Sequence, residues 1–279
     1  LDARLDVVER TLAARLEALR IEKRRADTGY SPVLELRQAE AEYHAAAELI
    51  PATRLAIRRQ EDGLSLLLGR NPGAVARGLE LDALNLPPVP AGLPASLLRR
   101  RPDIAAAEQQ MVAADRTLDS VRAAFMPDLQ LSGQGGAVVS SLIEQNPTGI
   151  YTVEAGILGP IFDAGRLRAQ QRGAAAQRNE AAYNYRRTAL TAFKEVEDGL
   201  AAVQRSAEQE ASLAQEREAL AATLRLATRR YRSGYSPYLE QVDAERALLS
   251  AELSLVQSRA DRLNAAVSLY EALGGGWTS

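Results

Sequence analysis

One stretch of this sequence occurs twice, and that repetition constrains the fold more than any other feature. Residues 24–40 read RRADTGYSPVLELRQAE and residues 229–245 read RRYRSGYSPYLEQVDAE, a constant offset of 205 residues. Ten of the seventeen positions are identical, among them Gly29/Gly234, Tyr30/Tyr235, Ser31/Ser236, Pro32/Pro237 and Glu35/Glu240. Leu68-Gly69 recurs as Leu273-Gly274 at the same offset. The chain is a tandem duplication, and each copy must be one structural unit packed against its partner.

Each G-Y-S-P lies between two helical patterns. Glycine accepts the left-handed conformation that ends a helix, and proline fits the opening of the next, so each copy is the bend of a helical hairpin. Large apolar residues recur every seven positions on the flanking segments. The first hairpin has Leu5, Leu12 and Leu19 before its bend, then Leu36, Tyr43, Ile50, Ile57 and Leu64 after it. Before the second bend, apolar residues fall at Ala192, Val196, Val203, Leu213, Leu220, Leu224, Ala227 and Tyr231 without so strict a beat. After it run Val242, Leu249, Val256, Leu263 and Tyr270, with Leu239, Leu253, Ala260 and Val267 as a companion row. A seven-residue beat is the seam of a left-handed coiled coil, so these rows are expected to be the packed faces. The helix from about Asp163 to Arg232 is expected to span roughly 100 Å.

Between the hairpins the pattern changes twice. Residues 75–98 hold four prolines and two glycines and read as an irregular connector. A shorter helix is expected from Pro102 to Ala124, with proline in its first turn and Asp103 at the positive end of its dipole. After Pro127-Asp128 the period drops to two. Leu129 and Leu131 alternate with Gln130 and Ser132; then, past a polar turn at 144–149, Tyr151, Val153, Ala155 and Ile157 alternate with Thr152, Glu154 and Gly156. Two strands of about ten residues with one apolar face suit a transmembrane barrel hairpin. An amphipathic hairpin of a soluble domain has the same pattern. In lipid a single hairpin leaves its edges unpaired, so a barrel reading demands an oligomer or a second strand pair.

Composition narrows the function. Basic and acidic residues nearly cancel, 34 against 36, so no global field recruits nucleic acid. Without cysteine there is no disulfide or thiolate site, and the lone His44 gives no histidine cluster for a metal. The acidic run Glu195, Glu197 and Asp198 reads as a wetted helix face. Gly133-Gln134-Gly135-Gly136 lacks the following lysine and helix of a phosphate loop. No nucleophile–base pair stands out, so the expectation is a non-enzymatic protein without a cofactor. Leu1 already sits inside an amphipathic pattern, and no run of 18 apolar residues occurs.

The segments LLRRRPDIAAAEQQMVAA (97–114), AAFMPDLQLSG (123–133), LGPIFDAGRLRA (158–169), AFKEVEDGL (192–200) and YEALGGGW (270–277) resemble the TolC family over the whole chain and in order. They look most like its drug- and metal-efflux outer-membrane lipoprotein branch, whose members are associated with multidrug resistance. The resemblance implies a mainly α fold with a small β part: coiled-coil helical hairpins in tandem duplication plus a transmembrane β-hairpin. It implies a homotrimer forming a β-barrel in outer-membrane lipid and a periplasmic α-barrel. Its partners would be a periplasmic adaptor and an inner-membrane efflux pump, for which the trimer is a passive exit duct. On this basis the expected parts are the first helical hairpin (1–74), the connector (75–98), a short helix (99–126), the strand pair (127–160) and the second hairpin with the C-terminal tail (161–279). The second repeat opens near Leu93, so about 110 residues of a first copy, with any signal peptide and lipid-bearing cysteine, are expected to precede Leu1.

The residues matching the family's periplasmic gate fall just after the bends. Asp243 is the nearest match, Glu240 the next, and Glu35 their first-repeat relative, Gln38 standing where the second copy has Asp243. Glu240 and Asp243 are spaced i, i+3 on one helix face, so threefold symmetry would make each a ring of carboxylates. As bland alternatives, a carboxylate there also suits the helix dipole, and so do the arginines before each bend. The resemblance assigns adaptor docking to the tips, here Arg25, Gly29, Tyr30, Arg230, Gly234 and Tyr235. Glu154 is expected on the barrel lumen, and Trp277 as an aromatic anchor after a glycine stop. A soluble periplasmic coiled-coil adaptor is the competing reading, since it too has a long hairpin with an exposed tip.

Overall fold

The computed structural model describes residues 1–84, 100–138 and 148–275. It contains α1 (Asp2–Asp27), α2 (Val33–Leu67), a 3-10 turn (Leu81–Ala83), α3 (Pro102–Ala123), β1 (Asp128–Val138), β2 (Thr148–Leu158), α4 (Arg166–Arg232) and α5 (Tyr238–Ala272). They fall into two compact units, one of Leu1–Ala91 with Val196–Ala272, the other of Gly92–Glu195 with Leu273–Ser279. The continuous helix α4 contributes to both, changing unit after Glu195.

In the first unit α1 packs along α2, and both touch α5. The rows of large aliphatics are not the packed seam. Leu5, Leu12, Leu19, Leu36, Tyr43, Ile50 and Ile57 are only half-buried, and Leu64 is exposed. The fully packed rows lie beside them: Val8, Arg15 and Glu22 on α1 against Ala39, Ala46 and Thr53 on α2. These also recur every seven residues, but apart from Val8 they are small or ionically paired. On α5 the same holds for Ala244, Ala251 and Ser258, whereas Leu239 and Val267 are exposed. Of the second hairpin's expected seam, Ala192, Val196, Ala227 and Val242 are buried. Small side chains let helix backbones approach closely, which displaces the leucines to the flanks. Gly199 shows the extreme case, since a Cβ there would lie 3.1 Å from Leu269 Cδ1 and 3.3 Å from its Cα.

In the second unit, α3 opens as its sequence demands. Pro102 stands in the first turn, and Asp103 Oδ1 accepts the Ile104 N–H at 2.9 Å. Arg101 binds Asp103 (2.7 Å) and also Glu195 (2.6 Å), so Glu195 is a helix-to-helix tie and not merely part of a wetted face. The Arg101 guanidinium holds the Asp103 carboxyl below the usual carboxylate range. The expected strands form one antiparallel pair with Leu129 opposite Ile157, Leu131 opposite Ala155 and Gly133 opposite Val153. That register gathers Leu129, Leu131, Tyr151, Val153, Ala155 and Ile157 on one face and sets Gln130, Ser132 and Gln134 opposite Gly156, Glu154 and Thr152 on the other, which Ile150 and Leu158 share. Gly133–Gly136 lies within β1, not in a phosphate-binding loop. Most of the polar turn at 144–149, the connector from 85 onward and Trp277 lie outside the described residues. None of the helices is long and apolar enough to cross a membrane, among the described residues.

Candidate functional site

The two bends have the same backbone. Gly29 (φ +72°) and Gly234 (φ +77°) end α1 and α4 in the left-handed region. Tyr30 N–H reaches back to the Arg25 carbonyl at 2.8 Å, and Gly29 N–H to that of Ala26 at 3.0 Å. Tyr235 and Gly234 do the same with Arg230 and Tyr231, both at 2.9 Å. This paired pattern satisfies helix-end carbonyls and needs a residue without Cβ at the turn. Both tips then present a tyrosine almost wholly to solvent, Tyr30 at 85% and Tyr235 at 81%.

Behind the tips the hairpins are tied by side chains. Tyr238, Val242 and Ala39 form a small buried cluster on which Leu19 and Tyr231 pack. The Tyr231 hydroxyl donates to Glu35 Oε2 at 2.8 Å, and the Ser31 hydroxyl reaches the same oxygen at 2.5 Å. Arg25 lies over the Tyr231 ring, 5.1 Å from its centroid, and pairs with the buried Glu22 at 3.4 Å. Burial and the neighbouring Glu22 and Glu35 carboxylates push the Tyr231 phenol well above its ordinary value. Two helical turns deeper, Arg15 and Glu42 form an ion pair at 3.0 Å with both side chains about 5% exposed. Arg246 of α5 joins Glu42 at 2.5 Å and stands 3.7 Å from Asp243.

The three carboxylates read from the sequence as a group are therefore held differently. Glu35 is half-buried and engaged between the hairpins. Glu240 pairs with Arg230 across its own bend at 3.4 Å. Asp243 is the freest, its side chain 63% exposed. Of the tip residues, Tyr30, Tyr235 and the glycines face solvent, Arg230 is exposed and ion-paired, and Arg25 is half-buried. Glu154 projects from β2 opposite Ser132, in the second unit. Sequence reasoning missed Arg15, Glu22, Glu42 and Arg246. The seven-residue spacing of Val8, Arg15 and Glu22 was the available signal, masked by the parallel row of larger apolar residues Leu5, Leu12 and Leu19. Among the described residues no cluster of histidine, aspartate or glutamate is arranged to hold a metal ion.

A family model described as "Outer membrane efflux protein" matches residues 93–275, about two-thirds of the chain and all of the second repeat's described elements. The chain belongs to the outer membrane efflux protein family. A probable efflux pump outer membrane protein of Pseudomonas putida, TtgC, is 36% identical over 277 residues, covering 97% of this chain and 57% of that protein. The pyoverdine export outer membrane protein OpmQ of Pseudomonas aeruginosa is 35% identical over 264 residues, 94% of this chain and 55% of that protein. A solved structure of CusC, described in connection with transmembrane channel formation, superimposes with a TM-score of 0.90 at 33% identity, covering 98% of this chain and 65% of that one. The open MtrE outer membrane channel of Neisseria gonorrhoeae gives 0.80 at 28% identity, with 99% and 63% covered. The chain thus spans somewhat over half the length of the curated relatives it matches. As an outer membrane efflux protein it has its place in the outer membrane.

Proposed function

We propose that the protein containing this chain is a homotrimeric exit duct of a tripartite efflux system. Its strand pair contributes to a β-barrel in outer-membrane lipid, and its hairpins to a periplasmic α-barrel. The bends dock a periplasmic adaptor through Gly29, Tyr30, Gly234 and Tyr235, with Arg25 and Arg230 beside them. Cargo arrives from an inner-membrane pump. The observation that carries this reading is the combination, in one chain, of duplicated hairpin tips with a strand pair one face of which carries Leu129, Leu131, Tyr151, Val153 and Ile157. A soluble adaptor has no use for such a pair, whose apolar face is exposed along its full length.

Asp243 and Glu240 line the constriction at the periplasmic end, each repeated three times about the axis. Glu35, engaged by Tyr231 and Ser31, holds the hairpins together behind it. Three carboxylates close together in a narrow passage favour cations and repel one another, so such a ring both selects and strains the closed state. Single-channel recording of the assembled protein in planar bilayers tests this. The wild type is expected to show small, cation-favouring, flickering conductance. Asp243→Ala is expected to conduct more and select less, and Glu240→Ala to follow it more weakly. If the mutants match wild type, the constriction lies elsewhere; if the protein never conducts and stays soluble without detergent, the adaptor reading replaces the duct.

A further inference from the structure

Glutamate stands at the same place in both copies of the repeat, as Glu40 and Glu245, but the two are held differently. On α2, Glu40 pairs with Arg37, one turn before it, at 2.7 Å. The second copy has Val242 where the first has Arg37, and Val242 is buried. Glu245 therefore lacks the cation that its counterpart enjoys on its own helix. Its Oε1 accepts a hydrogen bond from Gln241 Nε2 at 2.8 Å. Its Oε2 is shielded from solvent and has no hydrogen-bond partner among the described residues. A carboxylate oxygen in that state is unfavourable whenever the group carries charge.

The groups around it add to the conflict. Helix α1 presents Arg15 and Glu22, α2 presents Glu42, and α5 itself carries Tyr238, Gln241 and Arg246. Helix α4 contributes Tyr231, whose ring lies 5.2 Å from that of Tyr238. Arg15 is committed to Glu42, to its carboxylate at 3.0 Å and its carbonyl at 2.7 Å, and its own Nε–H is buried without a partner. Arg246, next to Glu245 in the chain, reaches Glu42 through Nε at 2.8 Å. Glu42 is thus the knot at which α1, α2 and α5 are tied. Burial raises the Glu245 carboxyl above its usual range; Gln241 and Arg15 oppose that rise and Glu42 adds to it. Two carboxylates that share one arginine in a dry site are not easily charged together.

We infer that Glu245 is a proton-operated latch on the junction between the two hairpins. With its proton, Glu245 leaves Arg15 and Arg246 to Glu42, and the junction is tight. When the proton passes to solvent, the second carboxylate repels Glu42, competes for Arg15 and loosens α5 from α1 and α2. The junction is therefore tight on the acid side of the Glu245 titration and looser on the alkaline side. Glu40 gives the first hairpin no such latch, because Arg37 already neutralises it. Since α5 also carries Glu240 and Asp243, the latch sets how readily the constriction opens. That last step rests on the duct reading.

The test uses the assembled protein, wild type and Glu245→Gln, with two readouts. Hydrogen exchange of the α5 amides at 242–250 is compared between the two at matched pH. Wild type is expected to exchange at least twofold faster at pH 8 and equally at pH 5. In planar bilayers the wild type is expected to open at least twofold more at pH 8 than at pH 5, with Glu245→Gln held at the acid level throughout. Gln241→Met removes a donor to the ionised form, so it is expected to move the midpoint of the response to higher pH, which a merely structural glutamine would not do. No difference in exchange at either pH overturns the latch. A conductance response that persists in Glu245→Gln but disappears in Asp243→Ala also overturns it, placing the sensor in the constriction and leaving the duct reading intact. If the exchange difference is present while neither pH nor Asp243→Ala alters conductance, the latch stands and the constriction reading fails.

Discussion

The least expected residues are the charged ones in the hairpin seam. Arg15 and Glu42 sit face to face where a coiled coil ordinarily places leucine. An ion pair removed from water gains little net stability, but losing one partner strands a buried charge. The seam here is thus specified by pairing more than by oil, and Arg246 ties the second hairpin to the first through Glu42. Glu245 lies in the same region. Burial raises its carboxyl above the usual range, opposed by a hydrogen bond from Gln241 and by Arg15, and helped by Glu42. The sign follows directly: an acid whose pKa is raised on folding costs stability as pH climbs through the folded value. Glu245→Gln is therefore expected to raise the melting temperature at pH 8. The advantage should vanish as pH falls to the ordinary glutamate value and below, which thermal melts across pH 4 to 8 measure; a constant difference would mean that Glu245 does not titrate in the fold.

At the scale of elements, the bends and strands were legible because each rests on strictly local chemistry. Glycine in a left-handed turn and alternation of apolar residues are short-range demands, and Gly29, Gly234 and the strand register met them. The helical seam was not legible in the same way. Two rows on each helix repeat every seven residues, one of large aliphatics and one of small or paired residues, and periodicity cannot choose between them. Close backbone approach chose the second, with Ala46 wholly buried. Ala46→Leu is accordingly expected to destabilise the hairpin by about 1–3 kcal/mol through overpacking, although leucine suits helices and coiled-coil seams. Denaturant midpoints of wild type and variant decide this; a neutral or stabilising result would mean that α1 and α2 have room between them.

For the whole molecule, the aliphatic rows left half-exposed on the hairpins become intelligible. Leu34, Leu55 and Leu239 are exposed on the chain by itself, and the proposed α-barrel supplies neighbours on both sides of every hairpin. Likewise the strand pair, two-stranded here, requires further strands to close in lipid. In the barrel proposed above, Glu154, opposite Ser132, would border the lumen. Glu154→Lys is expected to shift the reversal potential under a salt gradient towards anions without altering assembly. An unchanged potential would put Glu154 outside the conducting path.

The sequence by itself determined what depends on neighbours along the chain: the duplication, both bends, the helix and strand limits, and the apolar face of the strand pair. These follow from backbone conformation and from periods of two and seven, which any reader of the residues can count. Only the tertiary structure decided which of two equally periodic helix faces is the seam. It alone brought Arg246 to Glu42 across about two hundred residues, bound Glu35 to Tyr231, and left Asp243 the most exposed of the three carboxylates. Those outcomes depend on how closely backbones approach and which charges lose their water. Both are properties of packed surfaces, and no stretch of sequence contains them.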